Sequence, residues 1–292
     1  MPSPSKTLFL ALAFSLGLAA CAAPTAQNTE TSLQQERQAS EQVVRQLEEK
    51  NALMKDQRLN TYLRGVVNRV ARERPPGSVP LKTYVVRDAD VNAFTTGGGY
   101  LFFNAGMLAA MENEAQLASV AAHEIAHIDR GHVQAGRANR QGVQLGAAAA
   151  AIGGSLLGVP GDLINLGVGL GANYAVNSFS RTQESDADET GIQYLAAAGY
   201  NAAEGAKSFA VLRRLYGSQT GAQALFFASH PSSGDRLQTL TRRASELGAT
   251  KGRVGRNTHD AATRALRRDI LKFYNSEGRD KEAQQIRRNL RR

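Results

Sequence analysis

The sequence predicts a mainly helical α+β chain. Apolar residues recur at helical spacing along most of the 292 residues, and one short block, 81–103, breaks instead into extended runs bounded by proline and glycine. A chain of this length with 42% apolar residues supplies one compact core with appendages.

The first twenty residues read as a leader. MPSPSK carries one charge, at Lys6, and TLFLALAFSLGLAA is an uncharged apolar run of 14 residues. That is signal-peptide length and short for a spanning helix. The run ends in Leu18-Ala19-Ala20-Cys21, and Cys21 is the only cysteine. The four residues resemble the bacterial lipoprotein cleavage box, which implies that Cys21 is lipidated. An ordinary signal peptide with a chance cysteine is the alternative, but a lone cysteine has no disulfide partner in an exported protein. Ala22 stands where an aspartate would resemble an inner-membrane retention signal, so the outer membrane, facing the periplasm, is the expected location. Small polar residues then make 21–32 a lipidated N-terminus and tether.

From 33 to 250 the pattern is that of one domain. Leu33, Val43, Leu47, Leu59, Leu63, Val66 and Val70 extend a long helical pattern from about residue 30 to Arg74, where Pro75-Pro76-Gly77 stops it. Residues 81–86, 91–94 and 100–103 read as three strands of a small antiparallel sheet, with 95–99 turning between the last two. From Asn113, with Gln116 as a capping-box partner, a helix carries HEIAH. The segment 142–179 has one charge, Asp162, and is divided by Pro160-Gly161; a helical lid over the cleft is expected. A membrane hairpin is the alternative, although each half would have to span with about 17 residues, the lower limit. Ser180 with Gln183 opens another helix, closed by Gly199, and further helices cover 202–216 and 235–247.

The net charge of +9 sits almost wholly in the tail 251–292, which has 13 Lys/Arg against 5 Asp/Glu. Two short helices joined at 275–278 are expected there. A solvated basic face or a site for anionic lipid or acidic protein both fit; export excludes nucleic acid.

The chemistry concentrates in HEIAHIDRGH, residues 123–132. At about 100° per residue, His123 and His127 share one face of a helix, the spacing that two corners of a tetrahedral zinc site require. Glu124 would reach a metal-bound water as general base. His132 lies beyond Gly131 and out of helical phase, so it reads as a solvated or helix-capping histidine. A third ligand must come from elsewhere. In RTQESDADETG, Glu184, Asp188 and Gly191 stand at i, i+4 and i+7: Glu184 can bind the metal, Asp188 can orient a ligand imidazole, and Gly191 permits close helix approach. Asp186 and Glu189 read as a solvated acidic face.

At NAFTTGGGYLFFNAGML, NEAQLASVAAHEIAHIDRGH, SRTQESDADETGIQYLAAAGY and SHPSSGDR, in that order, the chain resembles the HtpX-like zinc metallopeptidases related to the CAAX-prenyl proteases, in particular their periplasmic BepA- and LoiP-like branch. The resemblance implies a zincin-like domain with an HExxH active-site helix and one zinc ion held by His123, His127 and Glu184. It further implies Glu124 as catalytic base, Asp188 as orienting partner, and His230 of the His-Pro motif near the reacting atoms, as a regulatory ligand or a transition-state donor. Asn92, Ala93, Phe94, Gly98 and Gly99 match the strand and turn that bind extended substrate by main-chain hydrogen bonds. The implied activity is endopeptidase cleavage of unfolded or misassembled envelope proteins, with the outer-membrane assembly machinery as a candidate partner. A lipoprotein chaperone with a structural or self-blocked zinc site is the rival reading, and an intramembrane protease a third.

Overall fold

The structure, a computed structural model, describes residues 26–135, 179–217, 230 and 235–291. The expected leader 1–20, Cys21 and the apolar segment as far as residue 178 lie outside the described residues. The fold is mainly helical with one small sheet, as the periodicity predicts. In chain order the elements are α1 (Ala26–Glu49), α2 (Gln57–Ala71), β1 (Lys82–Val86), β2 (Ala93–Gly97), β3 (Tyr100–Asn104), α3 (Ala105–Ala110) and α4 (Glu114–Asp129). They are followed by α5 (Arg181–Ala197), α6 (Ala202–Ala206), α7 (Ser208–Tyr216), α8 (Arg236–Glu246), α9 (Arg256–Ser276) and α10 (Asp280–Leu290). Among the described residues, no helix is long and apolar enough to cross a membrane.

The single helical pattern expected to run to Arg74 is two helices. Asn51 sits at φ 51°, a left-handed conformation that asparagine tolerates. With it come the two bonds of a Schellman stop, Asn51 N to Glu48 O at 2.9 Å and Ala52 N to Leu47 O at 2.7 Å. Asp56 then caps α2 by accepting from Leu59 N at 3.0 Å. Periodicity carried across the break because both helices bury a face, which hid these two short-range signals.

The sheet is mixed, a correction to the antiparallel expectation. Its order is β1-β3-β2, with β2 antiparallel to β3 and β1 parallel to it. The β2–β3 hairpin was legible from its glycine turn; β1 pairs with the strand after next, which no local pattern specifies. Every residue of β2 and β3 is buried, because helices cover both faces. Phe94, Tyr100 and Phe102 join Val43 and Leu47 of α1, while Ala93, Leu101 and Phe103 alternate into the main core.

The basic tail is part of that core. Leu266, Ile270 and Tyr274 of α9 and Ala283 and Ile286 of α10 pack into it. Four buried polar side chains also collect the carbonyls at the end of α3, which a helix C-terminus leaves unpaired. Arg267, 1% exposed, donates to Ala109 O (3.2 Å) and Met111 O (2.8 Å), and Asn289 to Ala109 O and Ala110 O (3.0 and 2.9 Å). Gln285 donates to Ala110 O (3.2 Å), and His259 Nε2 meets Met111 O (3.0 Å). The solvated-face reading therefore holds for Arg264, Arg268 and Lys272, which are exposed, and fails for Arg267. Arg267→Met is expected to leave Asp260 without its buried cation and to remove one of the donors to Ala109 O and Met111 O, lowering the free energy of unfolding by about 3 kcal/mol in a urea titration; an unchanged midpoint would refute the clamp.

Candidate metal centre

Helix α4 is buried along its length from Glu114 to His127. Asn113 caps it by accepting from Gln116 N at 3.0 Å; the Gln116 side chain turns to Glu112 N, so only half of the expected capping box forms. Helix α5 carries the full box between Ser180 and Gln183. The two helices lie in contact at Gly191, where a Cβ would stand 3.1 Å from the backbone of Ala122 and His123. Gly191→Val is therefore expected to push α5 off α4 and weaken metal binding at Glu184, read by chelator competition; wild-type affinity would show that the helices have slack.

This approach, with one residue of the next segment, gathers four side chains. His123, His127, Glu184 and His230 each offer a ligand atom, all within 4.8 Å of one another, and all four residues are buried. His123 Nε2 is 3.0 Å from His127 Nε2 and 3.1 Å from His230 Nδ1. Glu184 Oε1 is 2.9 Å from His230 Nδ1 and 3.2 Å from His127 Nε2. These separations approach the edge of ~3.3 Å that a tetrahedron with zinc bonds of ~2.0–2.1 Å would have. The electrostatics also call for a cation. Against the effect of burial, Glu184 and Asp188 push the His123 imidazole up to about 9. Burial opposes the Glu184 carboxylate too, yet His123 and His230 hold it well below the usual range. Burial keeps His127 well below the ordinary imidazole value, fitting a neutral ligand. The donor set thus fits a divalent metal.

Around these atoms stand three further groups. Asp188 Oδ1 lies 3.0 Å from His123 Nδ1, so that ring presents Nε2 to the cluster. Glu124 is fully buried, with neither oxygen hydrogen-bonded among the described residues; its Oε1 lies 3.4 Å from His230 Nε2, and burial pushes its carboxyl up. The Phe179 ring stacks on His127 at 3.7 Å between centroids.

Two placements differ from the sequence reading. His132 is not solvated: it is 6% exposed, with Nδ1 2.9 Å from His127 Nδ1 and Nε2 3.2 Å from Asp186 Oδ2. Gly131, at φ 66°, ends α4 and turns the chain, so helical phase stops applying there. Asp186 correspondingly faces His132 and Arg130, whereas Glu189 remains half exposed beside Arg243. Sequence reasoning also missed Arg236, 4% exposed, which grips Asp188 through Nε (2.7 Å) and Nη2 (2.5 Å) and Glu184 Oε2 through Nη1 (2.9 Å). Its one local signal was its place after Asp235, the α8 cap, in SHPSSGDR.

The expected substrate strand is β2, at one edge of the sheet and packed by α4. Asn92 is buried, its carbonyl taken by Asn104 N at 2.9 Å. Ala93 and Phe94 lie in the strand, but Gly98 and Gly99 do not: they form the turn beyond it. Gly98 N donates to Glu36 of α1 at 2.8 Å, Ser40 meets Thr96 Oγ1 at 2.6 Å, and a Cβ on Gly99 would strike Pro80 O. The backbone there is already engaged by α1 and the segment before β1.

A profile of peptidase family M48 matches residues 57–244. The chain is 29% identical over 233 residues to the putative beta-barrel assembly-enhancing protease of Vibrio cholerae serotype O1, covering 77% of this chain and 47% of that protein. It is 28% identical to the beta-barrel assembly-enhancing protease of Escherichia coli K12, covering 61% and 37%. To metalloprotease LoiP of the same organism it is 33% identical, covering 58% and 64%. The chain thus spans less than half the length of the first two relatives.

Proposed function

Since the chain belongs to peptidase family M48, we propose that it is a zinc-dependent endopeptidase of the bacterial cell envelope that cleaves unfolded or misassembled proteins. The observation that carries this is the convergence of four buried ligand atoms beside a buried carboxylate. His123, His127 and Glu184 would hold the ion, with Asp188 orienting His123. Zinc, when bound, polarises a peptide carbonyl and acidifies water to a pKa of about 7. Glu124 accepts the proton of the attacking water and delivers it to the leaving amine; its buried carboxylate has no competing hydrogen bond among the described residues. In this reading extended substrate would pair along Ala93 to Thr95 of edge strand β2, short of the Thr96 to Gly98 stretch that α1 engages. The names of the Vibrio and Escherichia relatives support beta-barrel assembly as the setting. Lipidated Cys21 would then hold the enzyme at the periplasmic face of the outer membrane, with the assembly machinery as partner.

Purified chain is expected to carry one zinc per molecule and to cleave a casein-type unfolded substrate, with activity lost to a chelator and regained with zinc. A second reading, a self-blocked site, is favoured by His230, whose Nδ1 stands among the ligand atoms rather than beside them. His230→Ala then raises cleavage. Zinc-loaded protein that leaves casein intact with or without His230 would instead favour a chaperone with structural zinc.

A further inference from the structure

We infer that His132 and Asp186 form the positioning pair for His127, the counterpart of Asp188 for His123; the inference rests on the metal reading above. The two candidate ligand rings on α4 are turned the same way, each with Nε2 in the cluster and Nδ1 away from it. A ring that gives its Nε2 lone pair to a cation must carry its proton on Nδ1, and that N–H needs an acceptor. For His123 the acceptor is Asp188 Oδ1 at 3.0 Å. For His127 no carboxylate among the described residues is in reach of Nδ1; the atom 2.9 Å away is Nδ1 of His132.

Two imidazole nitrogens at that distance share one proton, so the tautomers are fixed in sequence. His127 Nδ1–H donates to His132 Nδ1, which leaves the His132 proton on Nε2, where Asp186 Oδ2 accepts it at 3.2 Å. Asp186 is held in turn by Arg130 Nε at 2.6 Å. The opposite assignment, with His132 donating to His127, would put the His127 proton on Nε2, pointing at the metal. Chain geometry supports the placement: Gly131 adopts φ 66° and folds His132 back against α4, and Gln183 Nε2 ties the His132 carbonyl to α5 at 3.4 Å. A histidine buried only for packing would not need both ring nitrogens partnered in this order.

The test is the zinc dissociation constant by chelator competition, together with the ligand-field absorption of the cobalt(II)-substituted protein. His132→Phe keeps a ring of similar bulk and is expected to weaken zinc about 10–100-fold and to change the cobalt spectrum. Asp186→Ala alters a partly exposed side chain, so folding is retained; it is expected to weaken zinc by a smaller factor. Joined to His132→Phe, it should add nothing further, because the proton chain is already broken. Wild-type zinc affinity and cobalt spectrum in Asp186→Ala and in folded His132→Phe, with Asp188→Asn weakened, would overturn the inference and leave the metal reading standing. A wild-type chain that binds no zinc would overturn both.

Discussion

Replacing Glu124 with glutamine is expected to slow peptide hydrolysis about 10²–10⁴-fold while zinc content stays at the wild-type level. The two effects separate because the residue sits next to a ligand without being one. Glu124 is one position, about 100° of helical turn, from His123, so its carboxylate is aimed beside the ligand cluster rather than into it. Its Oε1 lies 3.4 Å from His230 Nε2, and no ligand atom depends on it. Glutamine keeps the volume and removes the basicity. The stability comparison adds a sign: a fully buried carboxylate with neither oxygen hydrogen-bonded among the described residues is costly, so the unfolding midpoint of the neutral variant should equal or exceed that of wild type. Turnover of casein and metal analysis on one preparation check the pair, and wild-type turnover by the variant would remove Glu124 from the mechanism.

Much of this centre was legible because helices impose fixed arithmetic on short stretches. His123 and His127, then Glu184 and Asp188, are i, i+4 pairs, and Gly191 marks where the two helices touch. What escaped depended on distance along the chain. Arg236 meets partners 48 and 52 residues away, and its place after the cap Asp235 does not by itself tell it from Arg242 and Arg243, which follow on α8 in more open positions. Arg267 among the tail arginines is the same case, since only α3 distinguishes it from Arg268. His132 differs for another reason: Gly131 is legible as a helix end, but the direction in which its positive φ turns the chain, back against α4, is not. The sheet divides along the same line, its hairpin read from a local turn and the parallel pairing of β1 dependent on a contact across 18 residues.

Arg236→Ala is expected to lower the stability of the metal-free protein by roughly 3–5 kcal/mol, measured by urea unfolding in chelator. Three charge-assisted hydrogen bonds join its guanidinium to Asp188 and Glu184, and the side chain also lies over the Phe209 ring at 4.2 Å. Without it, two largely buried carboxylates on one face of α5 lose their shared cation: among the described residues Asp188 keeps only His123, while Glu184 keeps His123, His127 and His230. Most of the loss comes from leaving Asp188 and the second oxygen of Glu184 under-partnered, not from the net worth of the pairs. Lysine should therefore recover only a fraction, because one ammonium cannot present the planar fork that engages both residues. Metal binding should suffer as well: Arg236 holds Glu184 Oε2, which leaves Oε1 turned toward His127 and His230, and a released carboxylate would sample both orientations. If Arg236 were merely another charge of the α8 surface, alanine would shift the unfolding free energy by no more than about 0.5 kcal/mol. That outcome would show that Glu184 is positioned by the metal and its own helix alone.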